Sequence, residues 1–317
     1  MSERQLLVMT APVRDRFDIP YHEIGPADAP LTLALVAGTH GDEINGTFVL
    51  ARLADFLYAV SEGRHAGLSL AGRVVIIPAV NVLGINTRSR AWPFDGTDIN
   101  RMFPGNIYGE TTQRIACAVL DRTRDAATRI DLHSSNQDFE EIPQVRLYDS
   151  TEDERRQARL FCLPAVMEHH ASPVFTTTLM HAWKIWPGYS FLIQAGHAGC
   201  IQLPTCQRVF RSLIAYMLRA GILDGVSLAE EEEDSSYFTR ESAVRLHADR
   251  AGMFVSDLKV GKWVRRGDEI GYIYDSFSGA VKCKVISPAA GLLTGIRRQP
   301  LLFEGDLIVR INRKHAP

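Results

Sequence analysis

What the chain lacks sets its first limits. None of the five cysteines, Cys117, Cys162, Cys200, Cys206 and Cys283, forms a C-x-x-C pair. An odd, scattered set excludes a disulfide framework and a zinc knuckle, and the thiols read as reduced, mostly core-filling residues. No uninterrupted apolar run reaches about 18 residues, the length a membrane-spanning helix needs. The opening MSERQLLVMTAPVRDRFDIP has no continuous apolar core of signal-peptide length, so the expected address is the cytoplasm. Charge of one sign is also missing. The 35 basic and 37 acidic residues leave a formal charge of -2, which gives no attraction to nucleic acid or to an anionic membrane. What remains is ordinary for a soluble globular protein, and 317 residues suffice for two domains.

The stretch that organises the rest is Leu31 to Leu53, LTLALVAGTHGDEINGTFVLARL. An apolar run long enough for one buried strand breaks at Gly38, delivers Thr39-His40-Gly41-Asp42-Glu43, and resumes at helical spacing with Ile44, Phe48, Val49 and Leu53. Side chains at such a strand end project into the crevice where open α/β sheets bind ligands. His40 and Glu43 can therefore converge, as a helix N-terminus with an acidic first turn or as two ligands of a metal that needs a third. A second apolar strand, Val74 to Ile77, follows. The loop NTRSRAWPFDGTDINRMFPGN then carries Arg88, Arg90, Asn100 and Arg101 with almost no periodicity, the mark of a loop that holds function.

Glu110 to Arg129 reads as an amphipathic helix, and a third strand ends in Asp131-Leu132-His133-Ser134-Ser135. Asp131 is expected on the opposite side of that strand from His133, as a structural or orienting carboxylate. Residues 152–171 look helical and 172–181 extended; a further strand, Phe191 to Ile193, runs into Gln194, Gly196, His197 and Gly199, and 205–222 makes a helix. Strands alternating with helices predict a mixed α/β sheet flanked by helices over residues 1–228. The acidic AEEEEDSS marks a linker over 229–240, and glycine-punctuated β-type runs over 241–317 predict a small all-β, barrel-like module. Its turn DSFSGAV lacks the exposed lysine of a lipoyl or biotinyl carrier, so it reads as a cap, a rim of the site or an oligomer contact. Two imidazoles and one carboxylate on one rim suit a catalytic zinc centre, whose three protein ligands leave a fourth position for water.

GTHGDEING, DGTDINRMFPG, DLHSS and SFLIQAGHAG, in that order, resemble the succinylglutamate desuccinylase/aspartoacylase family of the zinc carboxypeptidase clan, over about residues 30 to 225. The resemblance implies one Zn2+ held by His40, Glu43 and His133. It further implies a substrate carboxylate held by Asn100 and Arg101, with Arg88 or Arg90 adding a cationic contact. The implied activity is hydrolysis of the amide of a small N-acyl amino acid or a related carboxylate-bearing amide. No nucleic-acid or membrane partner is expected, and a homo-oligomer is left open. One position departs from the family pattern: where a general-base glutamate is usual, this chain has Gln194. Three accounts stay open: a deliberate Glu-to-Gln exchange, a natural change with the base supplied elsewhere, or a member that binds metal and carboxylate without turnover. His197, Glu140 and Glu141 are the replacement bases to inspect.

Overall fold

A computed structural model describes residues 3–10, 16–225 and 235–314; the acidic run at 229–234 lies outside them. Among the described residues, thirteen strands form one mixed sheet. Its central strands are β3 (Leu31–Ala37), β4 (Arg73–Ile77), β5 (Thr128–Ser135) and β8 (Tyr189–His197). β3 runs parallel to β4 and β5, and β5 parallel to β8. An antiparallel pair, β1 (Glu3–Thr10) and β2 (Arg16–Ile24), closes the β4 edge. Both faces of the central strands are covered, so β3 (LTLALVA) and β4 (RVVII) are near-continuous apolar runs rather than alternating ones, whereas β5 (TRIDLHSS) is apolar only at Ile130 and Leu132 and buries its polar residues. Helices α1 (Ile44–Ser61) and α3 (Leu203–Arg219) pack one face through Val49, Leu53, Leu57, Val209, Leu213 and Tyr216. Helix α2 (Thr111–Thr123) packs the other through Ile115 and Val119.

On the far side of β8 lies β6 (Phe139–Tyr148), antiparallel to it, and here the sheet forks. Residues 139–141 of β6 pair with β10 (Gly291–Arg297), whereas residues 144–148 pair with β7 (Ala165–His169). β10 leads on to β11 (Leu307–Asn312) and then β9 (Ala243–His247). The β-rich tail is thus stitched directly to the α/β sheet. Within the expected linker, Ser236–Phe238 forms a short strand parallel to β7.

Three expectations about local structure need correction. Residues 152–171 are a helix only over Glu152–Arg159, ended before Pro164, after which Ala165–His169 is β7. A proline biases its predecessor away from helix, and the apolar AVM that follows gains a strand partner in β6. Residues 172–181 are not extended: Pro173 opens a short 3-10 turn to Thr177, and the Thr178 hydroxyl caps helix Leu179–Lys184 by accepting from the His181 N–H at 3.3 Å. Likewise the helix expected to reach Arg129 stops at Thr123, because Thr128 and Arg129 are already in β5.

Candidate active site

β3, β5 and β8 end at one rim and place the key residues there. His40 and Glu43 occupy the turn between β3 and α1, and His133 in β5 pairs across the ladder with Gln194 in β8. Gly41 lets the turn lie against residues 84–89, since a Cβ there would sit 2.4 Å from the Ser89 carbonyl oxygen; its N–H donates to the Arg90 carbonyl at 3.2 Å. Glu43 stands at the N-cap of α1 yet makes no capping bond, forgoing about 1 kcal/mol of helix stability. Its carboxylate turns instead to the two histidines.

The ligand atoms of His40, Glu43 and His133 lie within 4.8 Å of one another, all buried. His133 Nδ1 is 2.8 Å from Glu43 Oε2, and His40 Nδ1 is 2.8 Å from Glu43 Oε1. The second contact lacks hydrogen-bond geometry, so His40 Nδ1 is a buried nitrogen with no hydrogen-bond partner. Behind each ring stands a carboxylate: Asp98 Oδ1 lies 3.0 Å from His40 Nε2, and Asp131 Oδ2 lies 2.9 Å from His133 Nε2. A carboxylate accepting from Nε2–H fixes the tautomer and leaves the Nδ1 lone pair facing the cluster, the usual support of a metal-ligating histidine. Asp131 therefore shares a face with His133, against the expectation, because residues two apart along a strand point the same way.

Proton affinities fit the donor set. Burial would raise Glu43, but His133 and His40 outweigh it and hold the carboxyl well below the usual range. Burial lowers His133, yet Asp131 and Glu43 push it up to about 10. Asp98, raised by burial, is brought down to about 2, chiefly by its bond to His40. The cluster thus holds carboxylates around two proton-hungry imidazoles, an arrangement a divalent cation can enter by displacing protons.

Above the cluster opens a cavity of about 480 Å³. Arg90, Asn100, Arg101 and Gln194 line it, whereas Arg88 and His197 do not. Arg90 Nη1 donates to Glu43 Oε1 at 2.8 Å. Asn100 is braced by the Leu179 N–H at 3.0 Å and sets its Nδ2 3.5 Å from His133 Nε2. Arg88 is the exposed, left-handed residue that ends the short helix Val82–Thr87. His197 turns Nδ1 to the Ala198 carbonyl at 2.8 Å, and Glu140 pairs with Arg298 and Gln202. Glu141 does reach the cavity, ion-paired to Arg146 at 2.7 Å and to Arg310. Burial would raise its pKa, but the two guanidiniums hold it below the ordinary value, which makes it a weak base. Sequence reasoning missed Asp98, Arg146 and Arg310; only Asp98, two residues before Asn100 in the quoted DINR motif, left a local signal.

The catalytic-domain model of succinylglutamate desuccinylase and aspartoacylase matches residues 29–218. The chain belongs to that family. A curated relative, N-alpha-acetyl-L-2,4-diaminobutyric acid deacetylase of Halomonas elongata, is 26% identical over 305 residues, covering 92% of this chain and 85% of its own. Among solved structures, a succinylglutamate desuccinylase/aspartoacylase from Rhodobacter sphaeroides has a TM-score of 0.75 at 21% identity, covering 95% of this chain and 91% of that one. The product-bound ectoine utilization protein EutE (DoeB) from Ruegeria pomeroyi has a TM-score of 0.77 at 21% identity, covering 97% and 93%. These likenesses establish the family fold, including its mixed sheet and additional C-terminal strands. No helix among the described residues is long and apolar enough to cross a membrane.

Proposed function

We propose that this family member is a zinc-dependent deacylase that hydrolyses the amide of a small N-acyl amino acid or a related carboxylate-bearing amide. The observation that carries the reading is the meeting of His40 Nδ1, Glu43 and His133 Nδ1 at the floor of the cavity, each ring held from behind by a carboxylate. These three residues would hold the zinc, which when bound polarises an acyl carbonyl and acidifies water.

The other side chains position the substrate. Arg101, half-exposed at the cavity wall, offers a planar fork for a carboxylate. Asn100, fixed by Leu179, directs its amide group to the same space. The Arg90 guanidinium, next to Glu43, can donate to the acyl oxygen. Tyr148, Phe175, Met180 and Leu192 give one wall an apolar surface suited to the acyl chain. A cavity of about 480 Å³ is of the size that takes a small molecule. The Halomonas relative, named for an N-acetylated diamino acid, supports the same substrate class. Gln194 can hydrogen-bond the substrate carbonyl or a water but cannot accept a proton near neutral pH.

Assaying amine release from a panel of N-acetylated amino acids, before and after metal chelation, tests this reading. Release is expected, with loss on chelation and recovery on adding zinc. Arg101→Ala is expected to raise KM by about 10-fold or more with a smaller change in kcat, as one charge-assisted contact is removed. A second reading, a protein that keeps the centre without turnover, is favoured by Gln194; it predicts tight zinc binding and no amine release from any member of the panel.

A further inference from the structure

The fork at β6 encloses a second cavity. Because β6 exchanges one neighbour for another along its length, a space of about 140 Å³ opens between β7 and β11, lined by Gln144, Arg146, His169, Arg240, Arg245 and Arg310. Four arginines face one small volume. Arg245 and Arg310 stand directly opposite each other in the β9–β11 ladder, a like-charge pairing that weakens a sheet.

Negative charge to balance them is spoken for. Glu168, the one carboxylate among the described wall residues, accepts from the Ser150 N–H at 3.0 Å and from the Ser150 and Tyr237 hydroxyls. Glu141 lies in the reaction cavity, beyond Arg146 and Arg310. Meanwhile four of the lining residues carry buried nitrogens with no hydrogen-bond partner: Gln144 Nε2, Arg146 Nε, Arg310 Nε and His169 Nε2. Gln144 is 1% exposed. Buried polar groups are nearly always satisfied, so four such residues lining one cavity point to a missing acceptor. His169 registers the same field: burial, then Arg146 and Arg310, pushes its pKa down to about 3.

We infer that this cavity is an anion site, distinct from the metal cluster, which takes a small oxyanion with two or more charged oxygens, such as inorganic phosphate or a short dicarboxylate. Arg240 and Arg245 form the exposed rim and Arg146 and Arg310 the inner wall. Because Arg146 and Arg310 also line the reaction cavity, a bound anion competes with Glu141 for their guanidiniums and changes the charge at the back of that cavity. The inference does not depend on the deacylase reading, since its primary readout is binding.

Calorimetric titration of phosphate and, separately, malonate into the full-length protein tests it. Saturable binding of one of them is expected, weakened about tenfold or more in the Arg240→Ala/Arg245→Ala variant, which lacks two charged donors. These positions lie outside the reaction cavity, so that variant keeps its basal activity. The tighter anion identifies which source fills the site. A ring-proton titration of His169 gives an independent signal, because a neighbouring anion raises its pKa from about 3. Binding undiminished in the double variant would place the anion outside this cavity, at Arg90 and Arg101 of the reaction cavity, and overturn the inference. Absence of saturable binding for both anions, or an unmoved His169, overturns it as well.

Discussion

His133→Ala is expected to abolish stoichiometric zinc binding and to lower amide hydrolysis by about 10³-fold or more, since loss of an orienting partner alone typically costs about 10- to 100-fold. The change removes one of three ligands and leaves Glu43 and Asp131 facing each other without the imidazole that separates them. Two buried carboxylates deprived of their partner also destabilise the fold, so metal content must be read on protein whose unfolding transition is still cooperative. Asp131→Asn provides the companion measurement. It keeps the ligand, removes only the charge behind the ring, and is expected to weaken zinc affinity by about 10- to 100-fold. Full zinc occupancy in His133→Ala, measured by elemental analysis, would remove the centre proposed here.

Gln194→Glu is expected to move activity the other way, raising kcat by about 10²-fold or more, the usual contribution of a positioned general base. The substitution is nearly isosteric, and its site is prepared: Gln194 lines the cavity, pairs in register with His133 in β5 and with Gln144 in β6, and is 6% exposed. A carboxylate at this point can take up a proton that the carboxamide cannot. The rate should gain an acid limb in its pH profile, reporting the new ionisation. An unchanged kcat would mean that the proton already has another acceptor. Glu141 would then be the residue to replace, despite the two arginines that hold its pKa down.

The meeting of His40, Glu43 and His133 was legible because each stands at the end of a strand. His40 and Glu43 share one strand–turn–helix, and His133 lies near the end of the strand that follows the Glu110 helix, so the order of elements brings all three to strand ends. Gln194 stood out for a different reason: at the close of FLIQ the family resemblance leads one to expect a glutamate. The carboxylates behind the rings were harder. Asp98 lay inside a loop without periodicity, and Asp131 was legible as a carboxylate but set on the wrong face. Arg310 left no trace: it meets Glu141 from 169 residues away, and its position depends on how β10 and β11 dock against β6, which hydrophobic alternation does not specify. The local errors at residues 152–181 have two physical sources: the polar, helix-forming EDERRQAR precedes Pro164 and conceals the change to a strand, and the β-branched PVFTTT reads as extended although Pro173 opens a 3-10 turn there.

The shared strand β6 has a consequence for how such chains diversify. Its first residues are laddered to the tail and its later ones to the α/β sheet, so the tail is no interchangeable cassette. A different sequence grafted after the acidic segment would leave His40, Glu43 and His133 in place while withdrawing Arg310 from Glu141, and so would redraw the polarity of the cavity above them from outside the α/β half.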